Sequence, residues 1–282
     1  MKTLYLSDLD GTLLTPAQNL SPYAARTLRR LVREGLPFSY ATARSRITAS
    51  VVTRGICPRL PAVYHNGIFL TQPATGRVVR FWGFTPREQK DLLDCLLSEG
   101  ICPIVYGLQE GRERFFWLEP MAGESLNAFL ATRPDDPRRT PLSSPEGYYG
   151  PSAYYFTCIE DQVSLLPLYR ILRERFYCIY GNDLYSGKPW LEILPKQASK
   201  ATAALALKQW TGAEELVCFG DGINDLPLFE IADRCYAVEN ACRELKEKAD
   251  GILPSNREDG VVRFLEQEWK AEKNRFGNPE TA

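Results

Sequence analysis

A short apolar run, Leu4-Tyr5-Leu6, leads straight into Asp8-Leu9-Asp10-Gly11-Thr12. The run reads as a buried strand, and the acids that follow must sit where that strand leaves its sheet. In extended chain, residues two apart project to the same side, which brings Asp8 and Asp10 together. Gly11 supplies the backbone freedom for the turn. Two crowded carboxylates repel, and one keeps its proton unless a cation lies between them. Magnesium is a hard, oxygen-seeking ion suited to that place. On its own the string also fits an ordinary Asp-Gly-Thr surface turn, so it needs support from the rest of the chain.

That support begins with the order of elements. Thr3–Ser7 reads as a strand. Ser21 caps a helix with Pro22 in its first turn. Ala24, Leu28, Leu31 and Val32 share one face of that helix. Arg26, Arg29, Arg30 and Arg33 lie largely on the other, a solvated face more than a nucleic-acid patch. Gly35 ends it, and Pro37–Ala41 is a second strand, so the unit is βαβ with parallel strands. A second helix follows Arg44. Ala62–Tyr64 and Ile68–Leu70 form a hairpin about Asn66-Gly67, and Arg77–Trp82 returns as a further strand.

Between Gly83 and Gly187 the pattern changes. Thr85-Pro86-Arg87-Glu88 is a capping box. Strands are expected at Cys102–Tyr106, Arg114–Leu118, Ala153–Ile159 and Phe176–Tyr180, and helices at Ser125–Ala131 and Gln162–Arg175. Arg133–Pro151 reads as a long loop. The block is an α/β unit inserted into the first. After it come a strand at Trp190–Leu194, a helix capped by Ser199, strands at Glu215–Gly220, Cys235–Val238 and Gly251–Leu253, helices at Asp225–Ile231 and Ala241–Ala249, and a last helix from Asp259 toward Lys273. The expected division is a core of residues 1–82 and 188–273, an insert of 83–187 and a tail of 274–282.

The chain has 282 residues, 44% hydrophobic and 24% charged, enough apolar material for a packed core. A net charge of −1 gives no pull toward nucleic acid or anionic membrane. No apolar run approaches the ~20 residues that span a bilayer. Met1-Lys2-Thr3 runs directly into the first strand, so no signal peptide is expected and the cytoplasm is the expected location. Cys57, Cys95, Cys102, Cys158, Cys178, Cys218, Cys235 and Cys242 form no Cys-x-x-Cys pair. They read as buried free thiols. His65 is the single histidine. A zinc site or a Ser-His-Asp triad would have to be built on it alone.

Three more segments stand at the C-terminal ends of expected parallel strands, the edge where open α/β sheets bind ligands. In Ala41-Thr42-Ala43-Arg44, a hydroxyl can bond a phosphoryl oxygen, although a threonine before a helix is often only a cap. Lys200 opens a helix, where a cation opposes the dipole by about 0.3–1 kcal/mol; a mixed-charge surface could also hold it. Gly220-Asp221-Gly222-Ile223-Asn224-Asp225 follows the apolar Leu216–Phe219 and suggests metal ligation, or in part an Asx turn.

In this order and spacing the four segments resemble the haloacid dehalogenase superfamily, and more narrowly its Cof-type sugar-phosphatase branch. Asp8-Leu9-Asp10-Gly11-Thr12-Leu13-Leu14 matches the first motif, Thr42 the second, Lys200 the third and Gly220–Asp225 the fourth. His65-Asn66-Gly67, Pro195-Lys196, Glu239-Asn240-Ala241 and Ser255-Asn256 with Glu258-Asp259-Gly260 match secondary features. One departure is Ala43, where the family commonly has glycine. Should that position need φ > 0, the added methyl would strain it.

The resemblance implies an α/β fold: a Rossmann-like three-layer core with a parallel sheet and an inserted α/β cap that closes over the site. It implies a Mg2+-dependent phosphatase acting on a small phosphorylated metabolite. Asp8 would be the nucleophile, ionised at neutral pH without a base, and Asp10 the acid–base group. Thr42 and Lys200 would stabilise the transferring group. Leu9, Gly11, Ala43, Arg44, Asn66 and Asn224 would join them around the phosphate. Asp8, the Asp10 carbonyl, Asp221 and Asp225 would hold the metal. A phosphomutase of the same fold or a non-catalytic phospho-metabolite-binding protein are the alternatives. No nucleic-acid or membrane partner is expected, and the chain is read as a monomer or weak homodimer. Specificity would come from the insert, with candidates in Gly107–Arg114, Tyr148-Tyr149 and Tyr154-Tyr155.

Overall fold

A computed structural model describes residues 2–56, 58–182 and 187–276. Cys57 and the end of the expected tail, 277–282, lie outside the described residues. The elements in chain order are β1 (Thr3–Ser7), α1 (Pro22–Arg33), β2 (Phe38–Tyr40), α2 (Arg46–Val52), β3 (Ala62–Tyr64), β4 (Phe69–Thr71), β5 (Val78–Phe81), α3 (Pro86–Ser98), β6 (Ile104–Gln109), β7 (Arg112–Leu118), α4 (Glu124–Ala131), β8 (Arg139–Leu142), β9 (Ser152–Ile159) and α5 (Gln162–Leu172). They continue with β10 (Tyr177–Asn182), β11 (Pro189–Leu194), α6 (Lys200–Thr211), β12 (Glu215–Gly220), α7 (Leu226–Ile231), β13 (Arg234–Val238), α8 (Arg243–Lys248), β14 (Gly251–Leu253) and α9 (Gly260–Phe276).

The chain forms two compact units, one of residues 1–81 and 199–282, the other of Trp82–Ala198. In the first, a parallel sheet runs in the order β14-β13-β12-β1-β2. The chain leaves β1 toward β2 on one side, whereas β12, β13 and β14 are laid down on the other. Right-handed crossovers in opposite directions put helices on opposite faces. Accordingly α1 packs with α9, and α6 with α7 and α7 with α8. A small antiparallel sheet, β3-β4-β5, completes this unit.

Helix α1 shows how local sequence and packing agree. Ser21 accepts a hydrogen bond from Ala24 N at 2.9 Å, and Pro22 fills the first turn. Ala24, Leu28, Leu31 and Val32 are buried. Each large aliphatic side chain so buried contributes about 1.5–3 kcal/mol. The polar face is not an open basic strip: Arg30 reaches Glu266 of α9 at 2.5 Å, and Tyr23 donates to the same carboxylate at 2.9 Å.

The second unit is built on a sheet ordered β10-β11-β9-β6-β7-β8. Leu93, Phe116, Phe156, Leu165 and Ile193 lie in its core. Two expectations are corrected here. Trp190–Leu194, expected to resume the first unit, lies in β11, between β10 and β9. The boundary therefore falls at Ala198/Ser199, not after 187. Arg133–Pro151 is not one loop: Arg139–Leu142 pairs in parallel with β7 as an edge strand, and an edge is where Pro141 can be accommodated. Gly107–Arg114 is mostly strand, joined by a turn at Glu110-Gly111. Tyr148 is fully buried, donating to Pro103 O and accepting from Leu118 N, each at 2.8 Å. It packs the unit. Tyr154 is likewise buried.

Seven cysteines stand free among the described residues. No helix among them is long and apolar enough to cross a membrane.

Candidate active site

Register places the site. Ser7 lies level with Phe219 on β12 and with Tyr40 on β2. One step further on, Asp8 is flanked by Gly220-Asp221 on one side and Ala41-Thr42 on the other. Asp8 N donates to Phe219 O and Ala41 N to Ser7 O, both at 2.9 Å. This is where strand order reverses in the sheet, so a crevice opens at the strands' C-terminal edge.

The loop after Asp8 closes on itself, with Leu13 N and Leu14 N both donating to Leu9 O. Gly11 has φ +78°, and a Cβ there would lie 2.1 Å from Asp221 Oδ2. Both conformation and space therefore demand glycine. Thr12 Oγ1 donates to Asp221 Oδ1 at 2.8 Å, a contact the sequence did not announce. The two acidic loops are thus interlocked.

Lys200 is 1% exposed, at the start of α6. Ser199 caps that helix by accepting from Thr202 N at 3.0 Å. The Lys200 ammonium bridges two carboxylates, 2.5 Å from Asp8 Oδ1 and 2.7 Å from Asp225 Oδ1. Asp225 is fully buried, and its Oδ2 accepts from Asp221 N at 3.0 Å and Gly222 N at 3.1 Å. Both Asp225 oxygens are therefore occupied by donors. Asp8, Asp221 and Asp225 each bring a carboxylate oxygen within 4.8 Å of the others.

Asp10 turns away from this cluster. Its oxygens accept from Arg44 Nε at 2.7 Å and a terminal Arg44 nitrogen at 2.6 Å, a bidentate pair. The same nitrogen of Arg44 also donates to Gln18 at 2.9 Å. Arg44, expected beside a phosphate, is thus engaged with Asp10. Thr42 is buried, and its hydroxyl accepts from Arg44 N at 3.1 Å. Ala43 is not left-handed: the non-glycine residues with positive φ among those described are Gln18, His65, Asn66, Glu110 and Asp259. The strain considered for the missing glycine does not arise.

His65, Asn66 and Gly67 all have positive φ. Asn66 N donates to Thr42 O, and Asn66 Oδ1 accepts from Asn224 at 3.2 Å. A Cβ on Gly67 would lie 2.1 Å from Ser199 O. The turn therefore packs flush on the start of the helix that carries Lys200. Its signals in the sequence were Asn-Gly and a match to a secondary family feature, and neither reports what a turn packs against.

Electrostatics follow from burial. Burial is the main cause that pushes the Asp8 carboxyl well above the usual carboxylate range; Lys200 opposes it, and Asp225 and Asp221 add to it. The Lys200 ion pair is thus what favours the Asp8 carboxylate against its burial. Asp221 is pushed up to about 6, first by burial and then by the Asp225 charge. For Lys200, burial works against the charge, but Asp225 and Asp8 outweigh it and hold the ammonium above its ordinary range. Four carboxylates, Asp8, Asp10, Asp221 and Asp225, meet two cationic side chains, Lys200 and Arg44. The two charges left over are those a divalent ion carries, and the donors are the oxygens magnesium prefers.

Comparisons with known proteins give the family. The profile of the haloacid dehalogenase-like hydrolases matches residues 5–265. The 5-amino-6-(5-phospho-D-ribitylamino)uracil phosphatase YwtE of Bacillus subtilis is 27% identical over 285 residues, covering 92% of this chain and 96% of that protein. Phosphatase YwpJ of the same organism is 24% identical over 283 residues, covering 92% and 96%. The crystal structure of TM0651 from Thermotoga maritima aligns with a TM-score of 0.77 at 25% identity, covering 95% of this chain and 97% of that one. Since the profile runs through both acidic loops and the Lys200 helix, the chain belongs to the haloacid dehalogenase-like hydrolase family.

Proposed function

We propose that this chain, a phosphatase of the haloacid dehalogenase-like family, hydrolyses a small phosphorylated metabolite, a sugar phosphate or similar compound, through a phosphorylated Asp8. The observation that carries the reading is the Lys200 ammonium bridging Asp8 and Asp225 beside Asp221 at the switch point of the sheet.

Magnesium fits the donor set. Asp8, Asp221 and the Asp10 carbonyl would hold it, with Asp225 behind them, because both its oxygens already serve Lys200 and the 221–222 backbone. Bound there, it would neutralise the acid cluster and charge on the phosphoryl group.

The Asp8 oxygen not held by Lys200 attacks phosphorus, the ester P–O bond breaks, and the leaving alcohol takes a proton from Asp10. Water then attacks phosphorus and gives its proton to Asp10. The bond between Asp8 and phosphorus breaks, releasing inorganic phosphate and restoring Asp8. Lys200 and Thr42 stabilise charge on the transferring group, the largest contribution expected in phosphoryl transfer. The backbone at Leu9, Gly11 and Ala43 and the paired amides of Asn66 and Asn224 line the same place. Because Arg44 grips both Asp10 oxygens, one of them must leave that fork before Asp10 delivers its proton. The free thiols suit the reducing cytoplasm. The acids and Lys200 all lie in the first unit of the chain, which is read as a monomer or weak homodimer.

The test uses para-nitrophenyl phosphate with Mg2+. Nitrophenol and inorganic phosphate are expected in equal amounts, and acid-quenched enzyme should carry labelled phosphate. Asp8→Asn should lower turnover by about 10⁴-fold or more, and excess chelator should stop it. Substantial turnover by Asp8→Asn, or full turnover in chelator, would overturn the proposal. A panel of phosphorylated sugars then locates the substrate class.

A further inference from the structure

Two backbone carbonyls in the loop after Asp8 are held from outside by asparagines. Asn240 Nδ2 donates to Gly11 O at 2.7 Å. Asn256 Nδ2 donates to Leu14 O at 2.8 Å, and Asn256 N donates to Asn240 Oδ1 at 3.0 Å. The last bond fixes which end of the Asn240 amide faces Gly11. The loop that carries Asn240 follows β13 and also reaches the second acidic loop, because Cys242 N donates to Asp221 O at 2.8 Å. One short segment is thus tied to both loops that bear the proposed metal ligands. The two loops meet where Gly11 lies against the Asp221 carboxylate.

We propose that Asn240, oriented by Asn256, is a positioning residue that sets the spacing between the Asp8–Asp10 loop and Asp221, and with it the affinity for a divalent cation. The inference rests on the magnesium reading given above. Its physical basis is the narrow tolerance of that ion. Magnesium demands near-octahedral donors at about 2.0–2.1 Å, so a few tenths of an ångström of drift in one loop weakens binding. Glycine is the residue least able to hold its own backbone. The bond from Asn240 holds the Gly11 carbonyl, in the peptide that follows that of the Asp10 carbonyl and leads to Thr12. Asn256 is buried but Asn240 is exposed, so changing Asn240 disturbs the strap and not the core.

The experiment is calorimetric titration of the full chain with Mg2+ in the absence of substrate, alongside urea unfolding. Asn240→Asp keeps the acceptor for Asn256 N and removes only the donor to Gly11. Its added negative charge would by itself favour a cation, so weaker binding reports the loss of the Gly11 contact, where an oxygen now faces the carbonyl. Asn240→Ala removes both groups without adding charge. The expected result is a Kd for Mg2+ raised about tenfold or more in both variants, with the metal-free urea midpoint unchanged. Wild-type affinity in both variants overturns the inference and leaves the magnesium reading intact, provided Asp221→Asn loses binding. No Mg2+ binding by the unaltered chain overturns the magnesium reading and this inference with it.

Discussion

Asp10 is the residue whose surroundings differ most from a bare acid pair. Both its oxygens sit in the Arg44 fork, and that fork is steadied by Gln18. Arg44 is the group that holds Asp10 in place, and the proposed acid–base role of Asp10 makes Arg44 its positioning residue. Arg44→Ala should lower kcat on para-nitrophenyl phosphate by about 10–100-fold, a part of the 10²–10⁴-fold that acid–base catalysis supplies, with little change in KM. Arg44→Lys should not restore it, because an ammonium cannot reproduce the two parallel bonds. A rise in KM with kcat unchanged would assign Arg44 to phosphate binding instead. Sequence announced Asp8, Lys200, Asp221 and Asp225, because acids in strand-end loops and a lysine opening a helix are chemically conspicuous. It did not announce that Arg44 takes Asp10 or that Thr12 takes Asp221, since the partner of a side chain is chosen by tertiary packing. Asn240 and Asn256 were visible as residues of secondary motifs, yet nothing in their spacing told which carbonyls they hold.

Elements were legible where the signal is local and illegible where it is a matter of partnership. The parallel strands, the Ser21, Thr85 and Ser199 caps and the β3–β4 hairpin all form as expected. Strand β11 also forms, but an apolar run does not specify which sheet will pair with it. Strand β8 was hidden by Pro141. One ion in the first sheet shows partnership of this kind. Asp233 Oδ2 accepts from Leu216 N at 2.8 Å and Lys208 at 2.6 Å, and Asp233 N donates back to Leu216 O. It ties β12 to β13 and to α6 at the sheet end away from the acids. Lys208 and the Leu216 amide hold its carboxyl below the ordinary range. A depressed carboxylate adds stability above its unfolded pKa of about 3.9 and loses it as pH falls through the lower, folded value. Because the Asp233 side chain is about half exposed, Asp233→Ala should lower stability at pH 7 by about 0.5–1 kcal/mol, the size of a net hydrogen bond discounted for solvent screening. The difference from the unaltered chain should shrink as pH drops below about 4. Turnover at pH 7 should be unaffected. A deficit that persists undiminished to pH 2 would mean the ion pair contributes nothing.

At the scale of the whole molecule, each unit closes its own core. Strand pairing stays within a unit, and the chain passes between the units only at Phe81/Trp82 and at Ala198/Ser199. A chain so divided need not unfold in one step. The acids belong entirely to the first unit, so a cation bound there is expected to act on the stability of that unit. At 100 times its Kd, a ligand adds about 2.7 kcal/mol, which is roughly 5–10 °C for a unit of this size. Phe156 probes the other unit. It is fully buried and packs edge-on against Phe84, ring centres 5.2 Å apart. Phe156→Ala should cost the second unit about 3–5 kcal/mol through lost burial and the cavity left behind. Scanning calorimetry should therefore resolve two transitions, one raised by Mg2+ and untouched by Phe156→Ala, the other lowered by Phe156→Ala and untouched by Mg2+. One transition that moves under both treatments would show that the two cores melt as a single cooperative body, and that cation binding at the acids is felt throughout the chain.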